Sequence, residues 1–330
     1  MNQSPRVSVV LPVYNAEKYV SEAIYSILNQ TFIDFELIIL EDASTDNSLS
    51  VIQNFKDDRI ILIKNEQNKG LVYNLNEGIR LASGEFIARM DADDIAMPER
   101  FKKQVKFLDE NPDVDVLGTA FECFGEIEKV VVHPTSHHEI KKTLIEYCCV
   151  GHPTVMLRKK KLPKRYEVYK PELFTCEDYH LWVEMIKDRK FANLDEVLLK
   201  YRTHKQQVSS EKADKQMELN EYAKLKAFLP SVKFFEDNTI SLLFSILNLE
   251  KQKLDWDRFY DLLQSLMFEN NKSNYWEDEF FTQKLRTLCF QAFKKSINRD
   301  LKFFQRKALI KLLSWKEFAY WMRINYLAKK

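Results

Sequence analysis

Phe86-Ile-Ala-Arg-Met-Asp-Ala-Asp-Asp94 is an apolar run that stops on three carboxylates packed into four positions. It is launched from the turn Ser83-Gly84-Glu85, and its first five residues combine strand propensity with small size, which predicts a buried strand. A strand ending in Asp-x-Asp carries Asp91 and Asp93 to the rim of a sheet on one face, while Ala92 turns away. Like charges this close repel unless a cation sits among them, and carboxylate oxygens with room for water and phosphate suit Mg²⁺ or Mn²⁺. A plainer reading also fits: Asp93 or Asp94 would cap a helix beginning near Met97-Pro98-Glu99-Arg100.

The sequence before this stretch alternates strand and helix patterns. Arg6-Val-Ser-Val-Val-Leu-Pro-Val-Tyr14 is a near-continuous apolar strand, and 16–30 places Tyr19, Val20, Ala23, Ile24, Ile27 and Leu28 at helical spacing. Phe35-Glu-Leu-Ile-Ile-Leu40 is a second buried strand ending on Glu41-Asp42. Ala43-Ser-Thr-Asp46 then opens a helix through Phe55, with Ser44 or Thr45 as cap. A third strand is expected over 60–64, a loop over 65–70 and a helix over 71–82. Strands separated by single helices give right-handed parallel crossovers, hence an open α/β sheet. Ligands of such sheets lie outside the carboxyl ends of the strands. Pro12-Val-Tyr-Asn15, Glu41-Asp42 and Asp91-Ala-Asp93 would therefore converge on one crevice. Each has a structural alternative: Pro12 ending a strand, Tyr14 packing, Asp42 starting a helix. No G-x-G-x-x-G follows the first strand and no G-x-x-x-x-G-K-[ST] occurs, which argues against a dinucleotide fingerprint and a P-loop.

With 330 residues, 45% of them apolar, the chain can form two domains, or one large domain with an appendage. A net charge of +1 supplies no global attraction for nucleic acid. Five cysteines, an odd number without C-x-x-C spacing, point to reduced, cytosolic thiols. Met1-Asn-Gln-Ser-Pro-Arg6 lacks a signal-peptide pattern, and the conspicuous uncharged run 238–249 is too short to span a bilayer. The expectation is a protein that neither crosses nor leaves the membrane.

Val9-Val-Leu-Pro-Val-Tyr-Asn15, Glu41-Asp-Ala-Ser-Thr-Asp46, Asn68-Lys-Gly70, Gly84-Glu-Phe86 and Asp91-Ala-Asp-Asp94 resemble, in this order and spacing, the family 2 glycosyltransferases of GT-A fold. Further on, Asn111-Pro-Asp-Val-Asp-Val-Leu-Gly118, Gly151-His-Pro-Thr-Val-Met156, Thr175-Cys-Glu-Asp-Tyr-His-Leu-Trp182 and Tyr201-Arg-Thr-His204 extend the resemblance. It implies an open mixed, mostly parallel sheet with flanking helices in a catalytic domain over 1–210, followed by an α-helical C-terminal region over 211–330. It implies transfer of a sugar, with inversion, from a nucleotide-sugar such as a UDP-sugar to a glycan or lipid-linked acceptor in surface polysaccharide or glycolipid synthesis. By resemblance, Tyr14 would stack on the base, Asp42 would hydrogen-bond it and Pro12 would line the pocket. Asn68, Gly70 and Asp91 would also contact the donor, and Asp93 would bind Mn²⁺ or Mg²⁺. Glu41 stands where many relatives carry Asp, which keeps the charge.

Asp178 follows Glu177 at the start of an amphipathic helix bearing Tyr179, Leu181, Trp182, Met185 and Ile186. Two acids there are also ordinary compensation of the helix dipole. The resemblance makes Asp178 the general base that deprotonates the acceptor hydroxyl, with Glu177 and His152 on the acceptor side. It makes His204, otherwise a surface loop residue, a second metal ligand. His133, His137 and His138 have no regular ligand spacing and are expected in a solvated loop.

The tail sets Leu301, Phe304, Ala308, Leu312, Trp315, Ala319, Met322 and Tyr326 on one helical stripe. Over 301–330 eight Lys and Arg stand against one Glu, a net of +7. Packing on neighbouring helices and peripheral binding to an anionic membrane on its inner face ask for the same pattern; the family's lipid-linked acceptors favour the membrane. The rival readings are a non-catalytic nucleotide-sugar-binding module, opposed by the retained Asp93, Asp178 and His204, and a nucleotidyltransferase, opposed by the missing phosphate loop.

Overall fold

The computed structural model describes residues 4–163, 167–204, 213–228, 256–273 and 275–295. The run 238–249 and the tail 301–330, with its expected membrane contact, lie outside the described residues. The chain divides into two compact units, Met1–Ala227 and Phe228–Lys330.

In the first unit, β1 (Val7–Val13), β2 (Phe35–Glu41), β3 (Ile60–Lys64) and β4 (Phe86–Arg89) are joined through α1 (Val20–Leu28), α2 (Ser48–Gln53) and α3 (Leu71–Leu81). They lie parallel in the order β3-β2-β1-β4. β1 is central, and its pleat sends alternate residues to opposite layers. Val7, Val9, Leu11 and Val13 join Ile24 and Ile27 in one core. Val10 joins Ile38, Leu40, Val72 and Leu75 in the other. A strand covered on both faces has no polar side to alternate with, which is why it reads as a continuous apolar run. α3 lies so close to the sheet that a Cβ on Gly78 would fall 2.4 Å from Cγ1 of Val10.

The sheet continues as β4-β8-β6-β9-β5, with β7 alongside β6. These are β5 (Ile95–Ala96), β6 (Val114–Gly125), β7 (Lys129–Val131), β8 (Met156–Arg158) and β9 (Lys190–Thr203). β8 runs antiparallel to β4 and β6, β9 parallel to β6, and β5 antiparallel to β9. The sheet is therefore mixed. The two-residue β5 matters most for the site, because its pairing of Ile95 with Lys200 and Ala96 with Leu199 ties the acidic turn after β4 to the end of β9.

Helices α4 (Arg100–Glu110), α5 (His137–Thr143), α6 (Glu177–Met185) and α7 (Ala213–Phe228) complete this unit. It reaches past residue 210 because Ala223 and Ala227 of α7 are buried in the same core as Tyr179 and Trp182 of α6. In the second unit, α8 (Trp256–Ser273) and α9 (Asp278–Lys295) bury Leu263, Leu266 and Leu285, and the Asn270 side chain bonds the backbone N–H and C=O of Trp276 in the turn between them. Among the described residues no helix is long and apolar enough to cross a membrane.

Three local expectations are corrected. Asp94 caps no helix: α4 starts at Arg100 behind Glu99, and the Asp94 carboxylate instead accepts the backbone N–H of Arg202 at 2.9 Å. α2 starts at Ser48 behind Asn47, not on Ser44 or Thr45. Asn15 takes both residues away from capping, since its Oδ1 accepts the Thr45 N–H and its own N–H donates to the Ser44 hydroxyl. The third concerns histidines. His133 is buried, its ring lying between those of Phe121 and Tyr147, and His137 begins α5 with Nδ1 accepting from the Phe191 N–H. Spacing rules for metal ligands carry no information about such packing.

Candidate active site

The apolar stretch Phe86–Arg89 is β4, and the turn after it gathers Asp91, Asp93 and Asp94 with carboxylate oxygens within 4.8 Å of one another. Asp94 is fully buried, and its Oδ2 has no hydrogen-bond partner among the described residues. Burial, then Asp91 and Asp93, push its carboxyl well above the usual range. Burial also lifts Asp91 to about 6, with Asp93 and Asp178 adding to the rise and Arg89 opposing it. Such crowding destabilises the Asp91 and Asp94 anions and is relieved by a nearby cation.

β9 closes this turn. Arg202 donates from Nε to the Asp93 carbonyl at 2.8 Å, pairs with Glu22, and lies over the rings of Tyr19 and Phe124. Two residues on, His204 brings Nε2 to 3.0 Å from Oδ2 of Asp93. The residues expected to ligate metal are thus adjacent. Hard carboxylate oxygens, one imidazole and an orphaned buried oxygen on Asp94 fit Mg²⁺ or Mn²⁺.

The residues expected on the donor side stand at the ends of β1 and β2. Tyr14 is 48% exposed just past β1, and Pro12 is half-buried opposite Leu40. Asp42 is 2% exposed, and its carboxylate accepts from Asn65 Nδ2 at 2.7 Å, Lys69 N at 2.9 Å and Gly70 N at 2.8 Å. It anchors the loop that carries exposed Asn68. Gly70 holds φ +86°, a conformation open to glycine at little cost, and no atom lies within 4 Å of where its Cβ would be.

On the other side, Asp178 lies half-buried in the first turn of α6 and accepts the Tyr179 N–H at 2.7 Å. Burial raises its carboxyl, while nearby N–H groups and Arg89 hold it back. Glu177 is turned inward: it is 7% exposed and accepts the Thr175 N–H, and burial with the Asp178 charge lifts it to about 7. His152 is 7% exposed, bonded at Nε2 to the Tyr169 hydroxyl at 2.9 Å. Burial and then Arg89 push it well below its ordinary range, so it is a neutral imidazole. Asn76 fixes Tyr169 by bonding both its backbone N–H and C=O.

Arg89 connects these groups. It is the last residue of β4, 5% exposed, ion-paired with Asp91, and its charge acts on Asp94, Glu177, Asp178, His152 and Tyr169 as well. Sequence reasoning gave it no role, although the signal was there: a guanidinium inside an otherwise apolar strand needs a buried partner.

Glycosyl transferase family 2 matches residues 8–165. An uncharacterised glycosyltransferase of Methanocaldococcus jannaschii is 36% identical over 71% of this chain and 83% of its own length. The Escherichia coli UDP-Glc:alpha-D-GlcNAc-diphosphoundecaprenol beta-1,3-glucosyltransferase WfgD is 30% identical over 73% of this chain and 91% of its own. In fold, the chain is similar to Staphylococcus aureus TarS 1–349 crystallised with UDP, with TM-score 0.59, 21% identity, and coverage of 89% of this chain and 88% of that one. The chain belongs to glycosyltransferase family 2 and is a glycosyltransferase of GT-A fold.

Proposed function

We propose that this glycosyltransferase moves a sugar from a UDP-linked donor to a hydroxyl of a glycan or lipid-linked acceptor, with inversion and with Mn²⁺ or Mg²⁺. The observation that carries this reading is the placement of one buried cation, Arg89, paired to Asp91 of the acidic turn and acting on Asp178 of α6. It sets a donor-side carboxylate and a candidate base around a common charge.

Tyr14 is exposed enough to stack on a base, and Asp42 fixes the Asn68–Gly70 loop beside it. Asp93 and His204, with Asp94 behind them, would hold the divalent cation; when bound, it supplies positive charge to a leaving diphosphate. Asp178 takes the proton from the acceptor hydroxyl as that oxygen bonds the anomeric carbon and the bond to the diphosphate breaks. A single displacement from the opposite face inverts the configuration. The UDP bound to TarS and the UDP-glucose and diphosphoundecaprenol acceptor in the name of WfgD support a UDP donor and a lipid-linked acceptor. Such an acceptor and the basic, aromatic-rich sequence of 301–330 support a peripheral position on the cytoplasmic face.

The test is UDP release from a panel of UDP-hexoses, with a prenyl-diphosphate-linked sugar as acceptor. The expected result is turnover that needs Mn²⁺ or Mg²⁺ and gives a product of inverted anomeric configuration by proton NMR. Retained configuration, or full turnover in chelator, would overturn the reading.

A further inference from the structure

The turn that leads into α6 is held in a conformation that its own side chain disfavours. Thr175 lies at φ +84°, in the left-handed region, where a β-branched residue is strained. The turn is buried, with Thr175 7% and Cys176 1% exposed.

Hydrogen bonds fix it from two helices. Within α6, Oε2 of Glu177 accepts the Thr175 N–H at 2.8 Å. From α7, Gln216 donates its Nε2 to the Thr175 carbonyl at 2.9 Å, and Asn220 accepts the Cys176 thiol at 3.1 Å. Gln216 and Asn220 are four apart, so they share one helix face, directed at the two residues before Glu177-Asp178. The same two helices meet again one turn along, where the His180 ring lies 5.3 Å from that of Tyr222 and its Nε2 lies 3.3 Å from the Leu219 carbonyl oxygen.

We propose that Gln216, supported by Asn220, is a positioning residue for the reaction: α7 holds the strained Thr175-Cys176 turn and thereby sets where the Asp178 carboxylate points. The inference rests on the reading of Asp178 as base. Without the Gln216 amide, Thr175 relaxes toward negative φ, and the first turn of α6, with Asp178 in it, rotates away from its working position. A displacement of about 1 Å at a catalytic group costs on the order of 100-fold in rate.

The experiment compares full-length wild type, Gln216→Met, Gln216→Met with Thr175→Gly, and Asp178→Asn, in the UDP-release assay. Methionine keeps the length of glutamine and removes the donor. The expected result is a kcat lower by about 10- to 100-fold in Gln216→Met, with donor KM within about twofold of wild type. Thr175→Gly relieves the strain at positive φ and is expected to restore kcat in the double variant to within about threefold of wild type. A Gln216→Met enzyme with wild-type kcat, beside an inactive Asp178→Asn, overturns the positioning role alone. A lost kcat that Thr175→Gly does not recover, in a protein of unchanged melting temperature, overturns it too. A fully active Asp178→Asn overturns the base reading and this inference with it. Should Gln216→Met not fold, Gln216→Glu, of the same shape but without the N–H, is expected to give the same fall and the same recovery.

Discussion

His204 brings its Nε2 to 3.0 Å from Oδ2 of Asp93, across 111 residues of sequence. The contact depends on β5 and β9, whose pairing carries the end of β9 to the acidic turn. An imidazole beside three crowded carboxylates is a mixed nitrogen and oxygen donor set, which suits Mn²⁺. His204→Ala is expected to weaken Mn²⁺ binding in the presence of UDP by about 10-fold or more, and Asp93→Ala to abolish it. Electron paramagnetic resonance titration of free Mn²⁺ measures both. Wild-type affinity in His204→Ala would show that the histidine pairs with Asp93 without serving the metal.

Arg89→Met leaves Asp91 without its buried counter-charge. Breaking such a pair costs on the order of 3 kcal/mol, which a urea or thermal melt will register. The same change acts on catalysis. Arg89 favours the ionised form of Asp178, so its removal raises that carboxyl further, and the acid limb of the pH–rate profile moves to higher pH. An unmoved limb in an active variant would separate Arg89 from the base.

Glu177 offers a stability test with a definite sign. Its carboxyl is raised from 4.5 to about 7 in the folded protein. The folded state therefore holds its proton more tightly than the unfolded chain, and stability falls as pH rises from about 4.5 through 7. Glu177→Gln keeps an acceptor for the Thr175 N–H and never ionises. Its melting temperature should match wild type near pH 4.5 and exceed it above pH 7, by an amount on the order of 1–3 kcal/mol in stability. Equal melting temperatures across that range would contradict the assigned burial cost.

The parallel half of the sheet was legible because β1, β2 and β4 are buried on both faces and single helices link them, a pattern that one-dimensional periodicity records. Of the second half, the family resemblance implied a mixed sheet, but periodicity did not locate β8, which enters antiparallel, or the short β5, which is fixed by its partner Leu199 and not by propensity. Among candidate site residues, Asp91 and Asp93 stood out as clustered acids, whereas Asp178 read by itself as compensation of a helix dipole and drew its proposed role from the family resemblance. Arg89 and Gln216 did not stand out, because their roles depend on what folds against them: Arg89 acquires its partners from the turn and from α6, and Gln216 meets Thr175 only across two helices. Asp94 was misread for the same reason, its acceptor role being set by Arg202, which lies on a distant strand.

Asp42 holds three donors of the 65–70 loop. Asp42→Ala leaves the half-buried Lys69 and Gly70 N–H bonds without their acceptor, a loss of about 1 kcal/mol for each hydrogen bond. UDP affinity, measured by calorimetry with Mn²⁺, is expected to fall by about 10-fold or more. Asp42→Asn should lose less, because its amide oxygen still accepts. Equal affinity in both variants would detach Asp42 from the donor site.

The central claim is that Asp178 takes the acceptor proton, and single-turnover transfer by Asp178→Asn tests it most directly. With enzyme, UDP-sugar and Mn²⁺ preassembled and acceptor added last, the account predicts a transfer rate lower by about 10²- to 10⁴-fold with donor affinity unchanged. Transfer at the wild-type rate would contradict it.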